Sequence, residues 1–254
     1  MEENKRPITE VRKLTEVLGY NIYTRYPSFC SNKNTYIINT INPHSYCVAK
    51  KDKIFKEALL KSDILLPDGS GIVLAVKILT GKKINKIAGA DIHHYLLNQA
   101  DKKKLKVFYL GASNSTLNLI EKRLKKEFPN IQVATYSPPY KSQFSVKDTD
   151  AMIHAVNIFK PDYLFLGMTA PKQEKWVYEN HEKLKANVIA SIGAVFDFYA
   201  GNINRAPKWM IELGIEWLHR SLTSRRLMIR NLKSNPIFLY DLTIEKIKKI
   251  IFKR

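Results

Sequence analysis

The chain has 254 residues, of which 42 are Lys or Arg and 23 are Asp or Glu, so its formal net charge is +19. A hydrophobic content of 45% excludes a disordered chain, and two cysteines, Cys30 and Cys47, are too few for a disulfide framework or a zinc cluster. The charge indicates an anionic partner, namely nucleic acid, an acidic membrane surface or a phosphorylated small molecule, although many of the lysines also fit an ordinary solvated surface.

Strand and helix patterns alternate along the chain. Short β-branched and apolar runs that end near glycine or proline predict strands, and apolar residues three or four apart predict helices. In chain order, we predict a strand at 35–40, a helix at 51–61, a strand at 64–66, a helix at 71–79, a strand at 105–110, a helix at 115–128, a strand at 131–135, a helix at 149–159, a strand at 162–166, a helix at 174–184 and a strand at 188–192.

This alternation predicts an α/β protein with a Rossmann-like fold, in which helices cover both faces of a mostly parallel sheet. The length suits one such core, at residues 1–201, and a small appendage at residues 202–254. The N-terminus lacks the apolar region of a signal peptide, and no apolar run reaches the length of about 18 residues that a membrane span needs. The sequence therefore predicts a cytoplasmic protein, or one that rests on a membrane without crossing it.

The predicted appendage is unusually basic, with 12 Lys or Arg residues against 4 Asp or Glu residues. Apolar residues recur at Tyr240, Ile244, Ile247 and Ile251, which is one stripe of a helix, and lysines surround that stripe. The pattern fits a basic amphipathic helix on an anionic bilayer and an ordinary packing helix equally well.

Polar residues follow two consecutive predicted strands. Asp68 comes directly after one strand and ahead of a helix, where a general base near bound substrate would lie; the alternative is a helix N-cap. Thr40 and Asn42 end the preceding strand and lie beside Asp68 if the two strands are neighbours. In that position they would bind a sugar hydroxyl or orient the Asp68 carboxylate. The alternative is that Asn42 and Pro43 only form a turn.

Two further segments follow predicted strands. Residues 171–176 begin a helix, so Lys172 and backbone N–H groups there suit a phosphate, with plain helix capping as the alternative. Asp197 stands four residues after the strand-end Gly193, where a carboxylate suits a ribose or a uracil edge.

The sequence predicts neither a cofactor nor a metal. It contains no Gly-x-Gly-x-x-Gly fingerprint, no Walker A motif and no histidine spacing typical of a metal site. A leaving diphosphate would then need fixed cations to stabilise its charge. The appendage offers five arginines for this: Arg205, Arg220, Arg225, Arg226 and Arg230.

Taken in order, these segments resemble the WecG/TagA/CpsF family of bacterial glycosyltransferases, glycosyltransferase family 26, from about residue 35 to about residue 230. The ordered set is specific although each piece is short. The matching pieces are Thr40-x-Asn42-Pro43, Pro67-Asp-Gly69-x-Gly71, Gly89-x-Asp91, Leu110-Gly111, Pro161-Asp162, Pro171-Lys-Gln-Glu-Lys-Trp176, Gly193-Ala-Val-Phe-Asp197-Phe-Tyr-Ala-Gly201, Arg205-Ala-Pro207 and Gly214-Ile-Glu-Trp-Leu-x-Arg220.

The resemblance implies an inverting, metal-independent transfer of a sugar from a UDP-sugar to a polyprenyl-diphosphate-linked acceptor of GlcNAc type. Members transfer N-acetylmannosamine, which we expect here, or its uronic acid or glucose, for teichoic acid or exopolysaccharide synthesis. The resemblance also implies an appendage that docks on the inner face of the plasma membrane and completes the site. The sequence leaves a homo-oligomeric state open.

The resemblance also assigns roles to residues. Asp68 becomes the catalytic base, with Thr40 beside it in the catalytic group. The donor-binding residues are Asn42, Gly111, Lys172, Gln173, Glu174, Gly193 and Asp197, and the residues that bind the acceptor or a diphosphate are Arg205, Arg220, Arg225 and Arg226.

Two other classes compete with this interpretation. A soluble nucleotide-sugar epimerase or dehydrogenase is opposed by the missing glycine fingerprint. A nucleic-acid-binding protein would use the +19 charge, but the sequence contains no RNA-binding or helix-turn-helix signature, so we expect no nucleic-acid partner.

Overall fold

Six parallel strands form the central sheet of the protein. The computed structural model describes residues 14–29, 35–203, 206–207, 209–210, 218, 221–222 and 224–251. The sheet strands, in spatial order, are β4 (Ile64–Pro67), β3 (Tyr36–Ile41), β8 (Val188–Ser191), β7 (Tyr163–Gly167), β5 (Lys106–Gly111) and β6 (Gln132–Tyr136). A separate antiparallel hairpin is formed by β1 (Leu14–Val17) and β2 (Tyr20–Tyr23).

Helices connect the strands and cover the sheet. In chain order they are α1 (Pro43–Ala49), α2 (Lys53–Leu60), α3 (Ser70–Thr80), α4 (Gly89–Lys103), α5 (Asn114–Glu127), α6 (Val146–Phe159), α7 (Lys172–Asn180) with a 3-10 turn at His181–Lys183, α8 (Val195–Ala200) and α9 (Arg225–Ile251).

The strands are apolar on both faces because helices lie on both sides. Ile38 packs in a cluster with residues of α4, α5 and α8, whereas its neighbour Ile37 packs with Trp176 and Val177 of α7. Successive side chains of a strand point to opposite faces, so near-continuous apolar strands such as these mark a sheet that is buried on both sides. The predicted α/β class, with its parallel sheet and C-terminal basic helix, is confirmed.

Every predicted strand and helix is present, with ends that shift by a few residues. The sequence reasoning missed the β1–β2 hairpin and helices α1, α4 and α8. Helix α1 was interpreted as a turn because Asn42 and Pro43 are turn residues. The structure uses them as an N-cap and a first helical residue, which are equally typical positions for Asn and Pro.

Helix α9 packs against α1 and α3 through a narrow face. Phe238 and Leu242 are buried in the same cluster as residues of α1, α2 and α3. Within the residues that the structure describes, no helix is both long and apolar enough to span a bilayer. The division into units at residues 1–201 and 202–254 stays a prediction.

Candidate active site

The carboxyl ends of β3 and β4 bring Asp68, Asn42 and Thr40 to one edge of the sheet. The two strands are neighbours, with Thr40 opposite Leu66, and the Asp68 N–H donates to the Ile41 carbonyl at 2.9 Å. Asn42 Nδ2 donates to Asp68 Oδ2 at 3.3 Å. The prediction that these residues lie together if β3 and β4 are neighbours is therefore confirmed for Asn42 and Asp68. Asp68 is half-buried, and the Asn42 amide donates to its carboxyl group.

The orientation of the Asn42 amide is fixed by helix α1. Asn42 Oδ1 accepts from the Ser45 N–H at 2.9 Å, and Ser45 Oγ accepts from the Asn42 N–H at 2.8 Å, which together form a capping box. Because the amide oxygen is used by the helix, the NH₂ group is the part that faces Asp68. The NH₂ group therefore holds the Asp68 carboxyl in place at the end of β4.

The turn after Asp68 depends on two glycines. Gly69, with φ of +93°, is the N-cap of α3 and makes no side-chain cap bond, so the alternative that placed Asp68 at the N-cap is wrong. A Cβ atom on Gly71 would stand 2.4 Å from Cγ of Pro43. The missing side chain lets α3 approach α1 and brings Asp68 beside Asn42.

A second group of predicted residues lies at the ends of β5, β7 and β8. Gly111 pairs with Gly167, and a Cβ atom on Gly111 would stand 2.6 Å from the Gly167 carbonyl oxygen. Gly193 follows β8 with φ of +55° and lies beside the Gln173 amide. Asp197 is half-buried in the first turn of α8. These residues share the carboxyl edge of the sheet with Asp68, where parallel sheets bind ligands.

Lys172 is held by the loop that precedes α6. Its Nζ donates to the Lys141 carbonyl at 2.8 Å and lies 4.2 Å from the centre of the Phe144 ring. Partial burial lowers the pKa of Lys172. The ammonium thus tethers this loop to the start of α7, and its predicted contact with the donor stays a prediction.

Gln173 and Glu174 are both buried at the start of α7. Gln173 Oε1 accepts from the Met168 N–H at 3.1 Å, and Gln173 Nε2 donates to Glu174 Oε1 at 2.8 Å. Burial raises the pKa of Glu174 from 4.5 to about 7. Glu174 therefore lies behind Gln173 in the protein interior.

We expect Glu174→Gln to stabilise the protein at alkaline pH. The unfolded carboxyl ionises near pH 4.5 and the folded one near pH 7, so the wild-type protein loses stability as the pH rises between these values. From about pH 5 to pH 8, the free energy of unfolding of the variant should gain about 2–3 kcal/mol relative to wild type. Denaturant unfolding of both proteins at several pH values measures this difference, and parallel stability curves would contradict it.

The structure places the predicted arginines unequally. Arg225 and Arg226 are exposed in the first turn of α9, whereas Arg205 and Arg220 lie outside the described residues. Burial lowers the pKa of His44 to about 4, and the positive charge of Arg230 contributes to this lowering. Arg230 therefore lies near His44. His44 follows Asn42 by two residues and lies in the first turn of α1. The sequence analysis named Arg230 only as one available cation and missed His44.

His44 also anchors α9 to the site. Its Nδ1 lies 2.8 Å from Ser234 Oγ, so the imidazole joins the first turn of α1 to the middle of α9. No sequence signal marked this residue, because a histidine after Asn-Pro gives no information on a helix 190 positions further along the chain. In the part of the chain that the structure describes, no three His, Cys, Asp or Glu side chains are grouped as a metal site would require.

The parallel sheet, with a carboxylate, an amide and a hydroxyl at its carboxyl edge, is the arrangement of an α/β protein that binds its ligand at that edge. The chain belongs to the glycosyl transferase WecG/TagA/CpsF family, whose model matches residues 16–251. The resemblance inferred from the sequence is thus confirmed.

Three relatives carry the name N-acetylglucosaminyldiphosphoundecaprenol N-acetyl-beta-D-mannosaminyltransferase. The relative from Bacillus subtilis strain 168 is 32% identical over 218 residues, covering 86% of this chain and 83% of its own. That from Bacillus spizizenii is 33% identical over 193 residues, covering 76% and 73%. That from Staphylococcus aureus strain NCTC 8325 is 31% identical over 228 residues, covering 90% and 87%.

Proposed function

We propose that this protein transfers N-acetylmannosamine from its UDP-sugar to a GlcNAc residue carried on polyprenyl diphosphate, with inversion and without a metal. The names of the relatives support the transferred sugar and the acceptor. The observation that carries the proposal is the Asp68 carboxylate at the sheet edge, held by the Asn42 amide.

The reaction is one in-line displacement. The acceptor hydroxyl oxygen bonds to the anomeric carbon while the bond from that carbon to UDP breaks, and the electron pair of that bond leaves with UDP. Asp68 takes the hydroxyl proton, which is the step that a positioned carboxylate accelerates. Thr40 stands one position from the end of β3 and contributes a hydroxyl to the sugar site.

The leaving UDP carries negative charge that fixed cations offset. We assign this role to the appendage arginines Arg205, Arg220, Arg225 and Arg226, and add Arg230 because its charge acts on His44. Gly111, Gly193, Gln173 and Asp197 hold the nucleotide sugar at the ends of the neighbouring strands. We assign the contact with the donor at the start of α7 to Lys172, and the buried Glu174 serves the donor site from behind Gln173.

A donor screen tests the proposal. UDP-N-acetylmannosamine, its uronic acid and UDP-glucose are each offered with a short polyprenyl-diphosphate-GlcNAc acceptor and the full chain. We expect transfer from UDP-N-acetylmannosamine in the presence of a chelator. Transfer only from another donor would change the sugar assignment, and tight NAD binding without any transfer would favour a nucleotide-sugar oxidoreductase.

We also propose that the protein is cytoplasmic and docks on the inner face of the plasma membrane through α9. Of the stripe predicted at Tyr240, Ile244, Ile247 and Ile251, Ile244 is half-buried and the other three residues face outward, with exposed fractions of 67%, 46% and 61%. Lysines adjoin it at positions 246, 248 and 249. An exposed apolar stripe between lysines suits an anionic bilayer, where the side chains enter the interface and the ammonium groups meet lipid phosphates.

Replacing Ile247, Ile250 and Ile251 together with Ser should weaken binding to anionic vesicles at least about tenfold, since each buried isoleucine contributes roughly 1.5–3 kcal/mol. Vesicle co-sedimentation with phosphatidylglycerol measures the partition coefficient. Leu119→Ser on α5, which is equally a polar change at an exposed apolar residue, is the matched control and should bind as wild type. Undiminished sedimentation of the triple variant would remove α9 as the membrane element.

Mass measurement of the full chain with and without vesicles decides its oligomeric state.

A further inference from the structure

The amide of Gln173 joins the loops that follow β7 and β8. Its Oε1 accepts from the Met168 N–H, one residue beyond β7, and the amide lies beside Gly193, two residues beyond β8. Both loops form the carboxyl edge of the sheet. A rotation of this amide would place its NH₂ group against the Met168 N–H, two donors facing each other, so its orientation matters for both loops.

Glu174 supplies the contact that fixes this orientation. Its Oε1 accepts from Gln173 Nε2 at 2.8 Å, so the NH₂ group is directed to the carboxyl and the oxygen to Met168. Both side chains are buried, with exposed fractions of 3% and 5%. A hydrogen bond between two buried groups is worth more than one at the surface, because neither partner has water as an alternative.

The other carboxyl oxygen faces a polar recess. Among the described residues, Glu174 Oε2 and Asn39 Oδ1 are buried without a protein hydrogen-bond partner, and both residues line a cavity of about 470 Å³ between α2 and α7. Ser191 Oγ has none either. Alternation along the strands places Ser191 and Asn39 on the same sheet face, under α7.

Charged and titratable side chains from each neighbouring element face this cavity. They are Lys61 after α2, Tyr178 and Glu179 on α7, and His181 and Glu182 in the 3-10 turn. Glu174 thus borders a polar cavity whose lining does not include Asp68.

We propose that Glu174 is a positioning residue: its carboxyl locks the Gln173 amide, and Gln173 in turn holds the β7 and β8 loops in the arrangement that receives the donor nucleotide. The second half of this proposal rests on the proposed function. Glu174 acts through Gln173 and does not touch the substrate.

Two substitutions separate this role from general support of the fold. Glu174→Ala removes the acceptor, whereas Glu174→Gln keeps the size of the side chain and an acceptor oxygen for Gln173 Nε2. We expect Glu174→Ala to raise the KM for the UDP-sugar and the Kd for UDP about tenfold, with kcat within about twofold, and Glu174→Gln to restore both. Glu179→Ala, which alters the same cavity away from Gln173, is the control and should leave both constants unchanged.

Amide exchange at Met168 tests the positioning without reference to activity. The Met168 amide should exchange faster in the Glu174→Ala variant than in wild type. In the Glu174→Gln variant it should exchange at the wild-type rate. Unchanged exchange in Glu174→Ala, or a Glu174→Gln protein as impaired as the alanine variant, would overturn the proposal. If wild type transfers no sugar while the exchange pattern and UDP affinities hold, the proposed function fails and the positioning role stands.

Discussion

Asp68→Asn should lower kcat for sugar transfer by about 10²–10⁴-fold, the usual contribution of a general base. The substitution keeps the size of the side chain and keeps an oxygen for the Asn42 NH₂ group, so the turn between β4 and α3 should persist. The lost property is the ability to take a proton from the acceptor hydroxyl. The KM for the UDP-sugar should change little, because the donor does not depend on that proton.

The measurement is a steady-state assay with saturating polyprenyl-diphosphate-GlcNAc, together with UDP binding to both proteins. Asp150→Asn is the matched control. Asp150 is exposed on α6, and its substitution removes the same charge away from Asp68. Equal transfer by wild type and Asp68→Asn would show that another group takes the proton. Loss of UDP binding in Asp68→Asn would point to a misfolded turn instead.

The grouping of Asp68 with Asn42 could be predicted from the sequence because it follows from topology. Residues after consecutive parallel strands lie at one edge of the sheet, and only the adjacency of β3 and β4 had to be assumed. The same logic placed Gly111, Gly193 and Asp197 at that edge. Their roles toward a donor stay predictions, because the sequence and the fold give positions and not ligands.

The relation between Gln173 and Glu174 could not be predicted in the same way. Both residues were assigned to donor binding, as polar residues at a helix start. In the structure both side chains are buried in the first turn of α7, and Gln173 Nε2 donates to Glu174 Oε1. Burial depends on tertiary packing, which a segment of six residues does not specify.

The two interpretations of the C-terminal stripe differ only in which side of the helix meets the core. The sequence pattern fitted both, because a helical period gives a face and not its partner. The structure buries Ser234, Phe238 and Leu242, half-buries Ile244 and leaves Tyr240, Ile247 and Ile251 exposed. Complementarity with α1 and α3 selects the face that packs, which no local pattern of α9 records, and contact of the other face with a bilayer stays a prediction.

Phe238→Ala should detach α9 from the core. Phe238 is 1% exposed, meets the Tyr46 ring edge-on at 5.5 Å and lies over Gly71. Removing a buried phenylalanine side chain costs about 3–5 kcal/mol. The remaining attachments of α9 are the buried Leu242 and hydrogen bonds such as that from Tyr46 to Asp241 at 3.0 Å, which are worth about 1–3 kcal/mol each with water as competitor. The helix should therefore be lost before the sheet.

Hydrogen exchange resolves this order. In Phe238→Ala, amides of α9 should lose protection while those of β3, β7 and β8 keep it, and sugar transfer should fall because Arg230 leaves the His44 side of the site. Leu239→Ala, at a half-exposed neighbour, is the control and should keep both protection and activity. If the sheet loses protection together with α9, the helix is part of the folding core. If protection of α9 falls while transfer is unchanged, the cations of α9 take no part in the reaction, and the charge on the leaving diphosphate is offset by groups elsewhere at the sheet edge.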